Sequence, residues 1–375
     1  MSEVVAGMIS LADPVLGEAE KEALCRVIDS GWLTMGQRVA EFESRFAAMH
    51  GRDAAVAVSS CTAALHLALA ALGVGDGDEV LLPSMTFVAT ANAVRYVGAQ
   101  PVFVDIEALD RPLISLEDAE EKVSARTKAV IVVHYAGYLV DMPAWRAFAS
   151  RHGLKLIEDA AHAPEGAGVD GLADGSAYSF FTNKNMTTAE GGMLLARDSA
   201  VLERARRMRS HGMTTLTLDR DRGHAFSYDV VELGYNYRLD ELRAALGLAQ
   251  LERLASWNQA RRERVCWYER VLAGVPVTVP FADVEGGDAH LMPVLLPEGI
   301  DRVRIMQRLR EAGVQSSIHY PPIHTFSTFR TGNTEVPRTE RYGARVLTLP
   351  LHPGLSEKDV SRVVGALEEA LSCEA

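Results

Sequence analysis

Apolar residues recur three and four positions apart between Pro14 and Asp29, where Val15, Leu16, Ala19, Ala23, Leu24, Val27 and Ile28 fall together and Gly31 follows as a stop signal. The spacing predicts an amphipathic helix there. It predicts a second over about Arg38 to His50, with Val39, Phe42, Phe46 and Met49 on one face. The pattern then changes to short, almost wholly apolar runs: AAVAVSS (54–60), DEVLLPS (78–84), QPVFVDI (100–106), KAVIVVH (128–134), LKLIED (154–159), AYSFF (177–181) and GMLLAR (192–197). Strands this apolar, separated by helical segments, are buried on both faces and predict a mainly parallel sheet in an α/β fold. In such sheets ligands bind beyond the carboxyl ends of the strands.

From Leu239 to Trp257, LDELRAALGLAQLERLASW predicts one long helix with apolar residues on more than one face, among them Leu242, Ala245, Leu246, Ala249, Leu251 and Leu254. Such a helix is buried between domains or subunits. Beyond it helix, strand and helix recur, so the chain divides into a large domain over 1–250 and a smaller C-terminal domain over 251–375. The glycine-rich GVGDGDEV (73–80) lies after a helix and before a strand, the reverse of a dinucleotide fingerprint, and reads as a turn.

A chain of 375 residues, 48% of them hydrophobic, can build a sizeable core. Its net charge of −12 argues against a nucleic-acid partner, and the group Arg204, Arg206, Arg207 and Arg209 reads as a solvated helix face. Cys25, Cys61, Cys266 and Cys373 are too far apart to suggest a zinc knuckle or a disulfide framework. No run approaches the roughly 18 apolar residues of a membrane span, and the N-terminus lacks a basic leader, so the expected location is cytoplasmic, with no membrane partner. No metal site is expected: His319 and His324, in IHYPPIHTF, are separated by two prolines and cannot share a helical face.

Three places carry candidate chemistry. After the strand at 54–60, Ser59, Ser60, Cys61 and Thr62 open a helix whose N-terminus favours an anion such as phosphate, although an ordinary Ser/Thr cap reads the same. In IEDAAHA (157–163) an apolar strand ends in Glu158 and Asp159, with His162 just beyond. That carboxylate can face the ligand crevice and pair with a cationic ring nitrogen, or simply cap a helix. In SFFTNKNMTTAEGG (179–192), Lys184 follows a strand that carries Ser179; most isolated lysines are solvated cations. An anion site, a carboxylate for a ring nitrogen and an imine-forming amine are together the demands of pyridoxal 5′-phosphate (PLP).

The pieces SSCTAALHLAL, GDEVLLPSMTFVATANAV, GAQPVFVDI, IEDAAHA, SFFTNKNMTTAEGG, GYNYRLDELRAALGLAQLERL and HYPPIH, in this order from about Val15 to the C-terminal helix, resemble the DegT/DnrJ/EryC1/StrS sugar aminotransferase family. That family lies within the fold type I PLP enzymes. The resemblance implies an aspartate-aminotransferase-like three-layer sandwich with a mainly parallel sheet and a smaller C-terminal α+β domain. It implies that Lys184 is the internal-aldimine lysine and proton shuttle, that Asp159 keeps the pyridine nitrogen protonated, and that His162 lies near the phenolic oxygen. Phe87 then matches the ring-stacking aromatic, and Cys61, Thr62 and Ser179 match the phosphate cradle, with Cys61 standing where the family commonly has Gly.

Further along, the resemblance implies that Asn236 reaches the phosphate of a neighbouring subunit in a homodimer with shared active sites. Arg238, His211, His319 and Tyr320 are the expected substrate-binding residues, His211 within a substrate-side loop at 209–232 that reads equally as a surface loop. Family members carry AEGG or GEGG after the lysine, as here. Relatives that dehydrate sugars replace the lysine or add clustered cysteines, so amino transfer is the expected reaction, from an amino acid, expected to be L-glutamate, to a nucleotide-linked keto-sugar. A cyclitol or other ring ketone as acceptor, a PLP lyase or dehydratase, and a non-catalytic binding protein are the alternatives.

Overall fold

A computed structural model describes residues 7–214, 227–282, 284, 286–330 and 334–374. Two helices open it, α1 (Glu18–Ser30) and α2 (Gln37–Met49). The first begins four residues later than its apolar periodicity, because Glu20 Oε2 accepts from the Gly17 amide at 2.7 Å and closes the first turn there.

Seven strands form the central sheet: β1 (Val56–Val58), β2 (Glu79–Pro83), β3 (Gln100–Val104), β4 (Thr127–Val133), β5 (Lys155–Asp159), β6 (Gly175–Ser179) and β7 (Gly192–Ala196). Their order is β1-β7-β6-β5-β4-β2-β3, and only β7 runs against its neighbours. The sheet is therefore mainly parallel, as expected of its apolar runs. Strand β6 begins and ends two residues before the run AYSFF, so Phe180 leaves the sheet while Ser179 closes it.

Helices cover both faces: α3 (Cys61–Ala71), α4 (Val88–Tyr96), α5 (Leu116–Lys122), α6 (Met142–His152) and α7 (Ser199–Met208). The strand alternation divides the core. On β4, Ala129 and Ile131 join a cluster with Leu65, Leu69 and Val94, while Val130 and Val132 join Trp145 and Phe148 on the other side. A third cluster seals α2 against β6 and β7 through Phe42, Phe46, Tyr178 and Met193.

The predicted long helix after Asp240 is two, α8 (Glu241–Leu251) and α9 (Leu254–Leu272). No Gly or Pro breaks it. The interruption sits where Gln250, buried, bonds Glu20, the Val15 carbonyl and the Thr187 amide, and where Arg253 pairs with Glu20 at 3.4 Å. Tertiary contacts thus override a sound helical pattern. The C-terminal part packs α9, α10 (Arg302–Glu311), α11 (Pro337–Arg345) and α12 (Glu357–Ser372) around the antiparallel pair β8 (Met292–Leu295) and β9 (Val346–Leu349), with Ile9 from the N-terminus in the same cluster.

The arginine group is not a uniformly solvated face. Arg209 is 1% exposed and pairs with buried Glu43 at 2.5 Å, while Arg204 and Arg207 both reach Glu232. All four cysteines are free thiols. Among the described residues no helix is long and apolar enough to cross a membrane.

Candidate active site

The carboxyl ends of β4, β5 and β6 open into a cavity of about 360 Å³. Its wall includes Cys61, Thr62, Phe87, Asp159, His162, Ser179, Lys184, His319 and Tyr320, so nine of the residues singled out in the sequence converge. Asn236, Arg238 and His211 do not line it. The segment around Asn236 and Arg238 runs antiparallel beside the end of β1, with the Tyr237 carbonyl accepting from Ser59 and Asn236 exposed. His211 is exposed with φ 64°, and residues 215–226 of its loop lie outside the described residues.

Lys184 sits at the turn of a loop that satisfies its own backbone. The Thr187 and Thr188 hydroxyls donate to the Phe180 and Glu190 carbonyls, and Thr188 N bonds Phe180 O. This explains the small polar residues around the lysine: they hold the loop between β6 and β7 in one shape. Burial lowers the Lys184 ammonium from its usual 10.5 to about 8, against the opposing pull of Asp159 and Cys61.

Asp159 ends β5 at 6% exposure. Its Oδ2 accepts from Thr90 Oγ1 at 2.8 Å and its Oδ1 from the Ala161 amide at 3.2 Å. Burial raises its carboxyl, while Thr90, Ala161 and Lys184 pull it back down. A cationic partner in the cavity adds to that downward pull. His162 Nδ1 accepts from the Ala136 amide at 3.2 Å, so Nε2 carries the proton toward Tyr320 Oη at 3.0 Å. Burial, then Lys184, holds His162 well below the usual imidazole range, and the same causes push His319 down to about 4. His319 bonds Thr348, whereas His324 turns away to Ser84 and Glu340.

At the other end, α3 points its N-terminus at the cavity. Ser60 Oγ caps the Ala63 amide at 3.1 Å, which leaves the Cys61 and Thr62 amides without intrahelical partners. A β-carbon on Gly191 would collide with Thr188, and one on Gly192 with the backbone of Ser60 and Cys61. The close approach of Gly192 to that backbone leaves no room for a side chain, so glycine there sets how near β7 comes to the α3 end. Phe87, the residue before α4, is 56% exposed at the rim with its ring 5.7 Å from that of Tyr320. The N-terminal end of α3, the Asp159 carboxylate, whose Oδ1 lies 4.0 Å from Cys61 Sγ, and a lysine lowered to about 8 line one cavity, and these groups fit the phosphate, ring nitrogen and aldehyde of PLP.

Sequence reasoning missed Thr90, Asn185 and His290. Thr90 stands three positions after Phe87, where helix geometry turns it toward Asp159. His290 comes from the C-terminal part, and nothing in DAHLMPVLL marks it. Its Nε2 lies 3.5 Å from Lys184 Nζ, and its ring 4.3 Å from that of His162.

The profile of the DegT/DnrJ/EryC1/StrS aminotransferase family matches residues 14–368. Among solved structures, the aminotransferase TlmJ from Streptoalloteichus hindustanus is 35% identical, with a TM-score of 0.90 over 98% of this chain and 100% of that one. The putative sugar aminotransferase Spr1654 from Streptococcus pneumoniae, in its PLP form, is 28% identical, with a TM-score of 0.88 over 98% and 100%. DesI, solved in the presence of its TDP-sugar product, is 31% identical, with a TM-score of 0.88 over 99% and 95%.

Proposed function

Since the chain belongs to the DegT/DnrJ/EryC1/StrS aminotransferase family, whose members depend on PLP, we propose that it moves an amino group from L-glutamate onto a nucleotide-linked keto-sugar, with Lys184 as the covalent anchor of the cofactor. The observation that carries this reading is the position of Lys184, shifted to about 8, in one cavity with Asp159 and the N-terminus of α3. The TDP-sugar product of DesI supports the nucleotide-linked acceptor.

The bound cofactor supplies a carbonyl that carries the amino group and a ring that takes up electrons. The protein's residues do the rest. The Cys61 and Thr62 amides with Ser179 hold the phosphate, and Asp159, oriented by Thr90, holds the proton on the ring nitrogen. Phe87 covers the ring from the rim. His162, fixed as the Nε2–H tautomer, keeps Tyr320 aligned toward the substrate side. Lys184, once free of the cofactor, would be the base that takes up the proton of the substrate carbon and holds it on its own nitrogen, which its partly neutral amine permits at neutral pH. His319 and Tyr320 face the substrate from the C-terminal part. Two copies pair so that Asn236 and Arg238 of each reach the other's cavity, the first toward the phosphate and the second toward the substrate.

The test starts with the holoenzyme's visible absorbance. L-Glutamate should bleach it, and a nucleotide-linked keto-sugar should restore it while the same sugar without its nucleotide does so poorly. Lys184→Ala should keep the fold and lose the lysine-bound absorbance. An unaltered spectrum in that variant sinks the assignment of Lys184, and equal restoration by the free sugar sinks the nucleotide-linked acceptor.

A further inference from the structure

His290 is a buried imidazole, 4% exposed, that the roles above leave unused. Its hydrogen bonds fix its tautomer without reference to any titration. The backbone carbonyl of Asp288 can only accept, and it takes a hydrogen bond from Asn185 Nδ2 at 2.7 Å. Asn258 Nδ2 donates to the Glu165 carboxylate at 2.8 Å, so its Oδ1 faces the same Asn185 nitrogen, also at 2.8 Å. Both contacts orient the Asn185 amide one way round, and its Oδ1 is left facing His290 Nδ1 at 2.8 Å. His290 Nδ1 therefore carries the proton, and Nε2 presents a lone pair. That lone pair is aimed at Lys184 Nζ, 3.5 Å away, the outer edge of hydrogen-bond distance.

The two imidazoles of the site are set in opposite senses, His162 by the Ala136 amide and His290 by Asn185. The Ala136 amide donates to His162 Nδ1, while the Ala136 carbonyl accepts from the His290 backbone amide at 2.8 Å. His162 thus shows an N–H to Tyr320, and His290 shows an acceptor to Lys184. Burial, with His162 and Lys184 adding to it, holds His290 neutral by pushing it well below the usual imidazole range.

We propose that His290, its tautomer dictated by Asn185, is the positioning residue that accepts a hydrogen bond from the free amine of Lys184 and so keeps the lysine's own lone pair turned into the cavity. The inference rests on the assignment of Lys184 above. The neutral amine has two N–H bonds and one lone pair. With one N–H held by His290, the lone pair is kept off the imidazole and free to meet a substrate carbon, and the proton it receives stays on the lysine because His290 is a far weaker base than an amine. Without that hold the amine rotates freely about its last carbon, and the productive orientation becomes one among several.

The test uses the PLP-loaded holoenzyme, with the rate of bleaching by L-glutamate and by its α-deuterated form measured in single turnovers. His290→Leu should keep cofactor occupancy and the lysine-bound absorbance, slow bleaching by about 10- to 100-fold, and enlarge the deuterium effect because proton transfer has become the slow step. His290→Gln, which offers an amide N–H to Asn185 and an oxygen to Lys184, should recover most of the rate. Bleaching within twofold of wild type in His290→Leu overturns the proposal. So does His290→Gln as slow as His290→Leu with an unchanged deuterium effect, which marks a role in packing only. Should His290→Leu not fold, His290→Met takes its place in the comparison with His290→Gln. A wild type with no lysine-bound absorbance, by contrast, refutes the assignment of Lys184 and not the hold on it.

Discussion

A β-carbon on Gly192 would lie 2.6 Å from the amide nitrogen of Cys61, so β7 touches the first turn of α3 at a distance that only glycine permits. That contact holds the N-terminal end of α3 against the end of the loop that carries Lys184. Gly192→Ala must push the two apart. Backbone cannot yield as a side chain does, so the variant should lose about 1–3 kcal/mol of stability. It should also bind PLP at least tenfold more weakly, as measured by urea unfolding and by absorbance titration. Wild-type affinity in the variant would show that the cradle does not depend on this approach.

Ala189, two positions before the glycine pair, has φ 66°, a region L-residues avoid. The motif AEGG therefore stores strain that GEGG lacks. Ala189→Gly should be neutral to stabilising by up to about 1 kcal/mol, since relief of the left-handed conformation offsets the greater entropy of glycine in the unfolded chain. Thermal melting of the holoenzyme checks this, and a clear loss of stability contradicts it.

The residues legible in the sequence were those borne by local pattern. The apolar runs located β1 to β7, and the residues at or just past strand ends, Asp159, His162 and Lys184, fell in one cavity because a parallel sheet brings its carboxyl ends together. What the sequence withheld is what depends on long-range contact. His290 meets Lys184 across 106 positions, and Arg209 meets Glu43 across 166, and neither pairing has a local signature. The single helix read after Asp240 is split because Gln250 is held by residues from the chain's first twenty, a constraint no periodicity carries.

With Lys184 as the proposed anchor, its titration sets how fast the cofactor attaches. A lysine at its usual 10.5 is neutral in only about one molecule in 3,000 at pH 7, whereas at about 8 the fraction is about one in ten. Because the folded value is lowered, the neutral amine gains with rising pH until about 8 and then saturates. The rate of PLP attachment to the apoprotein should rise almost tenfold per pH unit between 6 and 7.5 and flatten above about 8.5. The same shift makes the unfolded chain bind more protons between about 8 and 10.5, so this group adds to apoprotein stability as pH rises through that window. An attachment rate still climbing at pH 10 contradicts the lowered value.

Arg209 and Glu43 form an ion pair that neither residue can leave cheaply. Arg209 Nη1 also donates to the Ala57 carbonyl at 2.8 Å, and Glu43 Oε1 accepts from the Ala57 amide at 2.8 Å, so the pair pins β1 from both sides. Arg209→Ala leaves the buried Glu43 carboxylate with only Arg206, 3.7 Å away, as a charge partner and should cost about 3 kcal/mol. Glu43→Ala combined with Arg209→Ala should cost less than the two single losses added, because no unpaired charge remains. Strict additivity in urea unfolding would show that the two side chains do not act together.

Thr90 is the hidden partner of Asp159. Its hydroxyl, which also meets Thr86 Oγ1 at 3.0 Å, donates to Asp159 Oδ2 and so favours the charged carboxylate that the proposed pairing with a protonated ring nitrogen requires. Thr90→Val keeps the shape and removes the donor, and hydrogen bonds to charged groups are worth about 1.5–3 kcal/mol. Asp159 then moves further up from its usual range, since burial is no longer opposed by this contact. The sign follows: a raised carboxyl is neutralised at higher pH, so the loss must grow as pH falls and shrink as it rises. Thr90→Val should bind PLP about tenfold or more weakly and should lose more of its bleaching rate with L-glutamate at pH 6 than at pH 8.5. Reintroducing the hydroxyl as Thr90→Ser should recover the acid limb. A uniform loss across the pH range would mean that Thr90 serves only to pack α4 against β5.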